Sequence, residues 1–178
     1  MEKHKELLNL ILDRRSCHAF RDDPLDRPTL AAITEAGRYA PSAKNRQLNH
    51  FYVITDPALL EALSAMVSRK MEAFAGRDCR YGAPALILVT NSKENTCALQ
   101  DAACAMENMM LAACAMGVGA CWINQPYHLG SDPELRALLG VGEEEVICGS
   151  LALGLPAGEL FPGRREHTGN PVTWINQP

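Results

Sequence analysis

The stretch from Cys97 to Met116 restricts this chain more than any other. Only Gln100, Asp101, Glu107 and Asn108 interrupt twenty otherwise apolar or small residues, and Gly117 supplies a stop. As a helix the segment spans about 30 Å. That is long enough for a bilayer, but the charges at Asp101 and Glu107 argue against a membrane span. A helix apolar on every side is buried. Seven alanines let neighbouring backbones approach closely, so either a central core helix or a subunit interface fits. In one small domain, the interface is the expectation.

A length of 178 residues suits one domain over residues 1–178, and such a chain buries roughly two-thirds of its unfolded surface. The net charge of −4 and pI near 5.7 argue against a general nucleic-acid binder, which carries a basic face. The residues Met1 to Glu6 mix charges of both signs ahead of no long apolar run, unlike a secretory leader. The seven cysteines, Cys17, Cys79, Cys97, Cys104, Cys114, Cys121 and Cys148, include no C-x-x-C pair. That spacing excludes a zinc ribbon and a ferredoxin-type cluster. Each cysteine is expected to be a small buried hydrophobe in a cytoplasmic, thiol-reducing compartment.

Periodicity predicts a helix over residues 4–15, with Leu7, Leu8, Ile11 and Leu12 on one side. Phe20 to Pro24 should be extended. A second helix starts near Asp26 to Pro28 and stops before Pro41. His50 to Thr55 reads as a strand, Pro57 to about Phe74 as a helix, and Gly76 to Gly82 as a polar loop. Ala85 to Val89 and Val146 to Leu153 are continuous apolar runs, as in strands covered on both faces. Ala120 to Asn124 is a further strand, Asp132 to Leu139 a short helix, and the tail from Leu155 is extended. The alternation fits α/β or α+β, and nothing local settles the strand order. Trp122-Ile123-Asn124-Gln125-Pro126 recurs as Trp174-Ile175-Asn176-Gln177-Pro178, but the flanks differ and no repeat architecture follows.

Four fragments carry chemistry. Arg14-Arg15-Ser16 ends the first helix, where arginines can simply favour the helix dipole or can grip a phosphate with paired hydrogen bonds. Pro41-Ser42-Ala43-Lys44-Asn45-Arg46-Gln47 reads as a turn. Gly117-Val118-Gly119 ends a helix and precedes a strand, so it is no dinucleotide loop. Pro162-Gly163-Arg164-Arg165 is a basic pair in a tail. No P-loop, G-x-S-x-G elbow or H-E-x-x-H is present.

In this order and at these separations, the fragments resemble the nitroreductase family of FMN-dependent flavoproteins. Arg14, Arg15, Ser16 and Phe20 satisfy its Arg-Arg-Ser-x-x-x-Phe pattern, and Ser42, Asn45 and Gln47 its P-S-x-x-N-x-Q pattern. The resemblance implies an α+β fold: a mostly antiparallel central sheet wrapped by helices, dimerised through the long helix, with the C-terminal tail reaching the partner. It implies that Arg14, Arg15, Ser16, Arg164 and Arg165 converge on the FMN phosphate. Pro41, Ser42, Ala43, Asn45 and Gln47 would contact the flavin from the second subunit. Trp122 and Ile123 would pack near the isoalloxazine ring, with Asn124 or a backbone amide near N5 and O4. His18 stands where the family usually has Arg or Lys beside the pyrimidine edge, where a cation stabilises the charge gained on reduction.

Other departures are Leu48-Asn49 in place of Pro-Trp, and Asn124-Gln125 where Glu-Gly is common. The implied activity is ping-pong hydride transfer from NADH or NADPH to FMN and on to a small-molecule acceptor such as a nitroaromatic or quinone. Alternatives are a non-catalytic FMN binder, a member with dehalogenating or flavin-fragmenting chemistry, or a soluble domain without flavin. No side chain need act as acid or base.

Overall fold

A computed structural model describes residues 2–160, 166 and 168–175. The elements in chain order are α1 (Glu2–Asp13), α2 (Arg27–Arg38), β1 (His50–Ile54), α3 (Pro57–Lys70), β2 (Ala85–Ser92), α4 (Ala98–Ala115), β3 (Gly119–Ile123), α5 (Gln125–His128), α6 (Pro133–Leu139) and β4 (Glu145–Gly154). The strands form one sheet in the order β1-β2-β4-β3, antiparallel throughout. The fold is therefore α+β, with the two apolar runs at its centre.

Alternation along β2 builds two core layers. Leu86 and Leu88 meet Leu63 and Val67 of α3 and Leu135 and Leu139 of α6 on one face. Ile87 and Val89 meet Leu30 and Ile33 of α2 and Met106 and Met109 of α4 on the other. The α2 backbone approaches α4 so closely that a Cβ on Gly37 would lie 2.8 Å from Met109 Cγ.

The long helix divides between the two roles its sequence allows. Ala98, Asp101, Ala102, Ala105, Met106, Met109, Met110, Ala113 and Cys114 are buried within the chain itself. Leu99, Cys104 and Met116 on the remaining surface are exposed. The expectation of an interface rather than a core helix thus needs correction: one face is core, because its alanines admit the sheet and α2, and only the other face is free.

Several boundaries also differ from the predicted ones, among them that of β2, which runs to Ser92 rather than Val89. Helix α1 stops at Asp13 rather than residue 15, and Arg15 Nη1 donates to the carbonyls of Leu12, Asp13 and Arg14 at 3.1, 3.2 and 2.9 Å. These oxygens lack helical partners. Helix α3 stops at Lys70, because Met71 turns extended (φ −122°, ψ 105°) before a single 3-10 turn at Glu72–Phe74. Asn124 leaves the strand and precedes α5, a short helix absent from the sequence reading. The apolar stripe of α1 is present as predicted, yet Leu7, Leu8, Ile11 and Leu12 are all exposed.

At the far end of the sheet, Glu145 accepts from Thr90 Oγ1, the Tyr52 hydroxyl and the Gly142 amide, and meets His50 Nδ1 at 3.0 Å. Burial opposes its ionisation, but the bonds from Thr90, Tyr52 and His50 outweigh this and hold the carboxyl below its ordinary range. Burial and the bond to Glu145 push the Tyr52 phenol up to about 12. This cluster ties β1, β2 and the turn before β4 together.

Candidate functional site

The segment after α1 runs along the free edge of β3. The Cys17 amide donates to the Ala120 carbonyl at 2.9 Å. On the other side, Ala157 N donates to Ala19 O at 3.0 Å and Arg21 N to Leu155 O at 2.9 Å, with Phe20 bridged to Pro156. Cys17 and Phe20 turn inwards, and they leave no room for a side chain at residue 119. A Cβ on Gly119 would lie 2.8 Å from Cys17 Sγ and 3.1 Å from Phe20 Cε1. Ser16 and His18 alternate with Cys17 and face outwards, both exposed. Arg14 is half-buried, with Nε 3.6 Å from Glu107 Oε1 of α4.

Two residues beyond Ala120, about 7 Å along the strand, stands Trp122. It packs on the α4 layer, and its indole Nε1 donates to Asn124 Oδ1 at 2.6 Å. The strand's two-residue period sends Ile123 the opposite way. Its side chain is 2% exposed, in the layer with Leu135 and Leu139. The expected ring contact from Ile123 would therefore come from its backbone. Next in the chain, Gln125 Oε1 is buried with no hydrogen-bond partner. A buried acceptor left unpaired is costly. A flavin ring, which carries an N–H on its pyrimidine portion, suits such an atom. Sequence reasoning missed Gln125, and its only local signal was that Pro126 marks a helix start.

The loop Pro41 to Gln47 lies elsewhere. Lys44, Asn45 and Gln47 all have positive φ (54°, 55° and 53°), a strained run that persists only when its surroundings enforce it. Ser42 Oγ accepts from Gln47 N at 3.0 Å, and Asn45 Oδ1 from Gln47 Nε2 at 2.9 Å. The Ala43 amide donates to the buried Asp101 carboxylate at 2.9 Å, and Asn49 Nδ2 to the Asp101 carbonyl at 3.1 Å. Asp101 lies in the first turn of α4, whereas Arg14 lies against Glu107 and the neighbouring Cys17 lies against Gly119 and Ala120, just past the helix end. From 101 to 114 the helix rises about 20 Å. Within one chain, then, Arg14, Ser16 and His18 lie on the segment beside β3, the strand that carries Trp122, whereas Pro41, Ser42, Ala43, Asn45 and Gln47 lie on a separate loop tied to the first turn of α4. Arg164 and Arg165 lie outside the described residues.

Four of the seven thiols take the buried packing role expected of each. Burial pushes Cys121 and Cys148 up to about 11, and raises Cys79 and Cys114. Cys104 is exposed, and Cys17 and Cys97 are half-buried. Among the described residues no His, Cys, Asp and Glu group could hold a metal ion, and no helix is long and apolar enough to cross a membrane.

This combination of fold and strand-edge segment defines a class. The profile of the Nitroreductase family matches residues 11–155, and the chain belongs to that family. A protein of Archaeoglobus fulgidus is 31% identical over 160 residues, covering 87% of this chain and 88% of its own. An NADH dehydrogenase of Thermus thermophilus is 30% identical, over 92% and 93% of the two chains. The crystal structure of a Bacteroides fragilis nitroreductase with bound FMN superposes with a TM-score of 0.87 at 34% identity, covering 96% of this chain and 98% of that one. An iodotyrosine deiodinase shares the fold alone, at a TM-score of 0.78 and 19% identity.

Proposed function

We propose that this protein is a homodimeric, FMN-dependent oxidoreductase that uses NADH or NADPH to reduce a small-molecule acceptor such as a quinone or nitroaromatic. The observation that carries this reading is the Cys17–Ala120 hydrogen bond. It seats Arg14, Ser16 and His18 along the strand that presents Trp122. Bound FMN supplies the hydride chemistry, alternately reduced by the nicotinamide and oxidised by the acceptor. The protein's part is to bind, orient and admit.

Arg14 and Ser16 hold the phosphate, joined by Arg15, Arg164 and Arg165. His18 donates to the pyrimidine edge. Asn124 and the β3 backbone approach the N5 side, and Gln125 Oε1 accepts a ring N–H. Pairing of the exposed α4 faces about a two-fold axis perpendicular to the helix would set the start of one α4 beside the end of its partner's. That brings the loop with Ser42, Asn45 and Gln47 of one copy to the Arg14 end of the other. The exposed stripe of α1 and the exposed Val172, Trp174 and Ile175 gain cover by the same pairing. A reducing cytoplasm suits the unpaired thiols.

Light scattering on gently purified protein, followed by heat release of its chromophore, tests this. The expected result is a dimer releasing about one FMN per subunit. A colourless monomer that takes up no added FMN contradicts both the flavin and the dimer.

A further inference from the structure

A strained turn faces His18. Between α3 and β2, Asp78 Oδ1 accepts from the Arg80 amide and Asp78 Oδ2 from the Gly82 amide, both at 2.9 Å. Ser64 Oγ of α3 donates to Asp78 and accepts from Arg80 Nε at 2.9 Å. The buried Arg80 guanidinium also donates to Ala83 O at 3.0 Å and pairs with Asp78 at 3.1 Å. This network grips the residues on both sides of Tyr81 and fixes it at φ +58°. For a bulky residue that is an outlier, kept only where the surroundings over-determine it.

The aromatic ring so placed belongs to neither core layer. It is 41% exposed and stands edge-on to the His18 imidazole, with ring centroids 4.9 Å apart and planes at 87°. On its other side His18 is fixed through its neighbours, since Cys17 bonds to β3 and Ala19 to residue 157. A loop needed only to join α3 to β2 would carry Gly or Asn at a left-handed position. Here the strain supports an aromatic contact with one exposed histidine.

We propose that Tyr81 is a positioning residue for the reduction chemistry: its ring locks the His18 imidazole in the rotamer that meets the pyrimidine edge of bound flavin. The proposal rests on the FMN reading above. Tyr81 acts through His18. A site group is effective only when its rotamer is locked by neighbours, and His18 has solvent on its open side.

The test uses Tyr81→Phe, Tyr81→Asn, His18→Ala and the Tyr81→Asn/His18→Ala double variant. Asn accepts a left-handed φ, so Tyr81→Asn keeps or raises thermal stability while removing the ring. In the apoprotein, the His18 ring-proton resonances, assigned by their loss in His18→Ala, move in Tyr81→Asn and stay in Tyr81→Phe. The other four of the five histidines are unaffected. In the holoprotein, His18→Ala lowers the FMN midpoint potential, and Tyr81→Asn reproduces a threefold to tenfold part of that shift in the oxidised–reduced equilibrium. That is about 15–30 mV for a two-electron couple. Tyr81→Phe retains the wild-type potential, and the double variant matches His18→Ala.

An unchanged potential in Tyr81→Asn, or an additive double variant, overturns the proposal while leaving FMN binding intact. An unchanged potential in His18→Ala overturns it too, by removing the group Tyr81 acts through. If the unmutated protein binds no FMN, the functional reading fails first, and that outcome is distinct from the others.

Discussion

Gly119→Ala is expected to weaken FMN binding by at least about tenfold while the protein stays folded. The new methyl would sit 2.8 Å from Cys17 Sγ and 2.9 Å from Cys17 Cβ, with Phe20 Cε1 at 3.1 Å. The Cβ of Cys17 is not the loose end of a flexible side chain. Phe20 is buried and hemmed in, since a Cβ on Gly154 would lie 3.0 Å from Phe20 Cδ1. The conflict is therefore relieved by moving the Cys17 segment off β3, which stretches the Cys17–Ala120 bond and carries Arg14, Ser16 and His18 outwards. Overpacking of this kind costs about 1–3 kcal/mol. Loss of a single hydrogen bond to a charged phosphate costs a similar amount, and 1.4 kcal/mol is about tenfold in affinity. Fluorescence titration of apoprotein with FMN reads the effect. Gly158→Ala, with nothing within 4 Å of its Cβ, serves as the control and leaves affinity unchanged. Wild-type affinity in Gly119→Ala contradicts the placement of the phosphate segment.

Asp101→Ala should produce a large loss of stability. The carboxylate is 5% exposed and accepts from Ala43 N at 2.9 Å and Asn95 Nδ2 at 3.0 Å. Asn95 in turn donates to Asn91 Oδ1, and Asn91 to Asn49 Oδ1. Removing the carboxylate leaves the half-buried Ala43 amide and one of the two Asn95 Nδ2 hydrogens without acceptors. Hydrogen bonds to a charged group are worth about 1.5–3 kcal/mol each, so the expected fall in unfolding free energy is about 3 kcal/mol, measured by urea denaturation of the apoprotein. For a chain of this size that corresponds to about 6–12 °C in Tm. Asp101→Asn keeps one acceptor for Ala43 but sets two NH2 groups against each other, and falls between. FMN affinity should drop with stability, because the strained loop with Asn45 and Gln47 loses its anchor. A change under about 1 kcal/mol in Asp101→Ala contradicts this role.

Much of the fold was legible because its signals are local. Asp26 caps α2 by accepting from Thr29 N, with Pro28 in the first turn. Asp56-Pro57 and Asp132-Pro133 start α3 and α6 in the same way. The unbroken apolar runs of β2 and β4 announced strands covered on both faces. The ambiguity of α4 lay in its composition: alanines suit a core and an interface equally, and only the packing of α2 and the sheet decides which face is which.

The candidate site was legible as motifs and opaque as geometry. Arg14, Ser16 and His18 were named from their pattern. Their seat on β3 depends on a hydrogen bond across more than a hundred residues, between Cys17 and Ala120. Ile123 was expected beside the ring together with Trp122 from the family resemblance, yet the period of a strand places the two side chains on opposite faces. Tyr81 left no local trace. Its contact with His18 arises from a loop held by Ser64, Asp78 and Arg80, whose partnership no spacing rule announces. The buried, unpaired oxygen of Gln125 is likewise visible only once the end of β3 is enclosed.

The most direct test of the account is anaerobic mixing of the FMN-loaded protein with NADH and, separately, NADPH, followed by absorbance. Bleaching of the bound flavin by at least one of them, and recovery on adding a quinone or nitroaromatic, is the predicted result. Flavin that stays yellow with both reductants, in protein that holds FMN firmly, contradicts the oxidoreductase and leaves a flavin-binding protein without this chemistry.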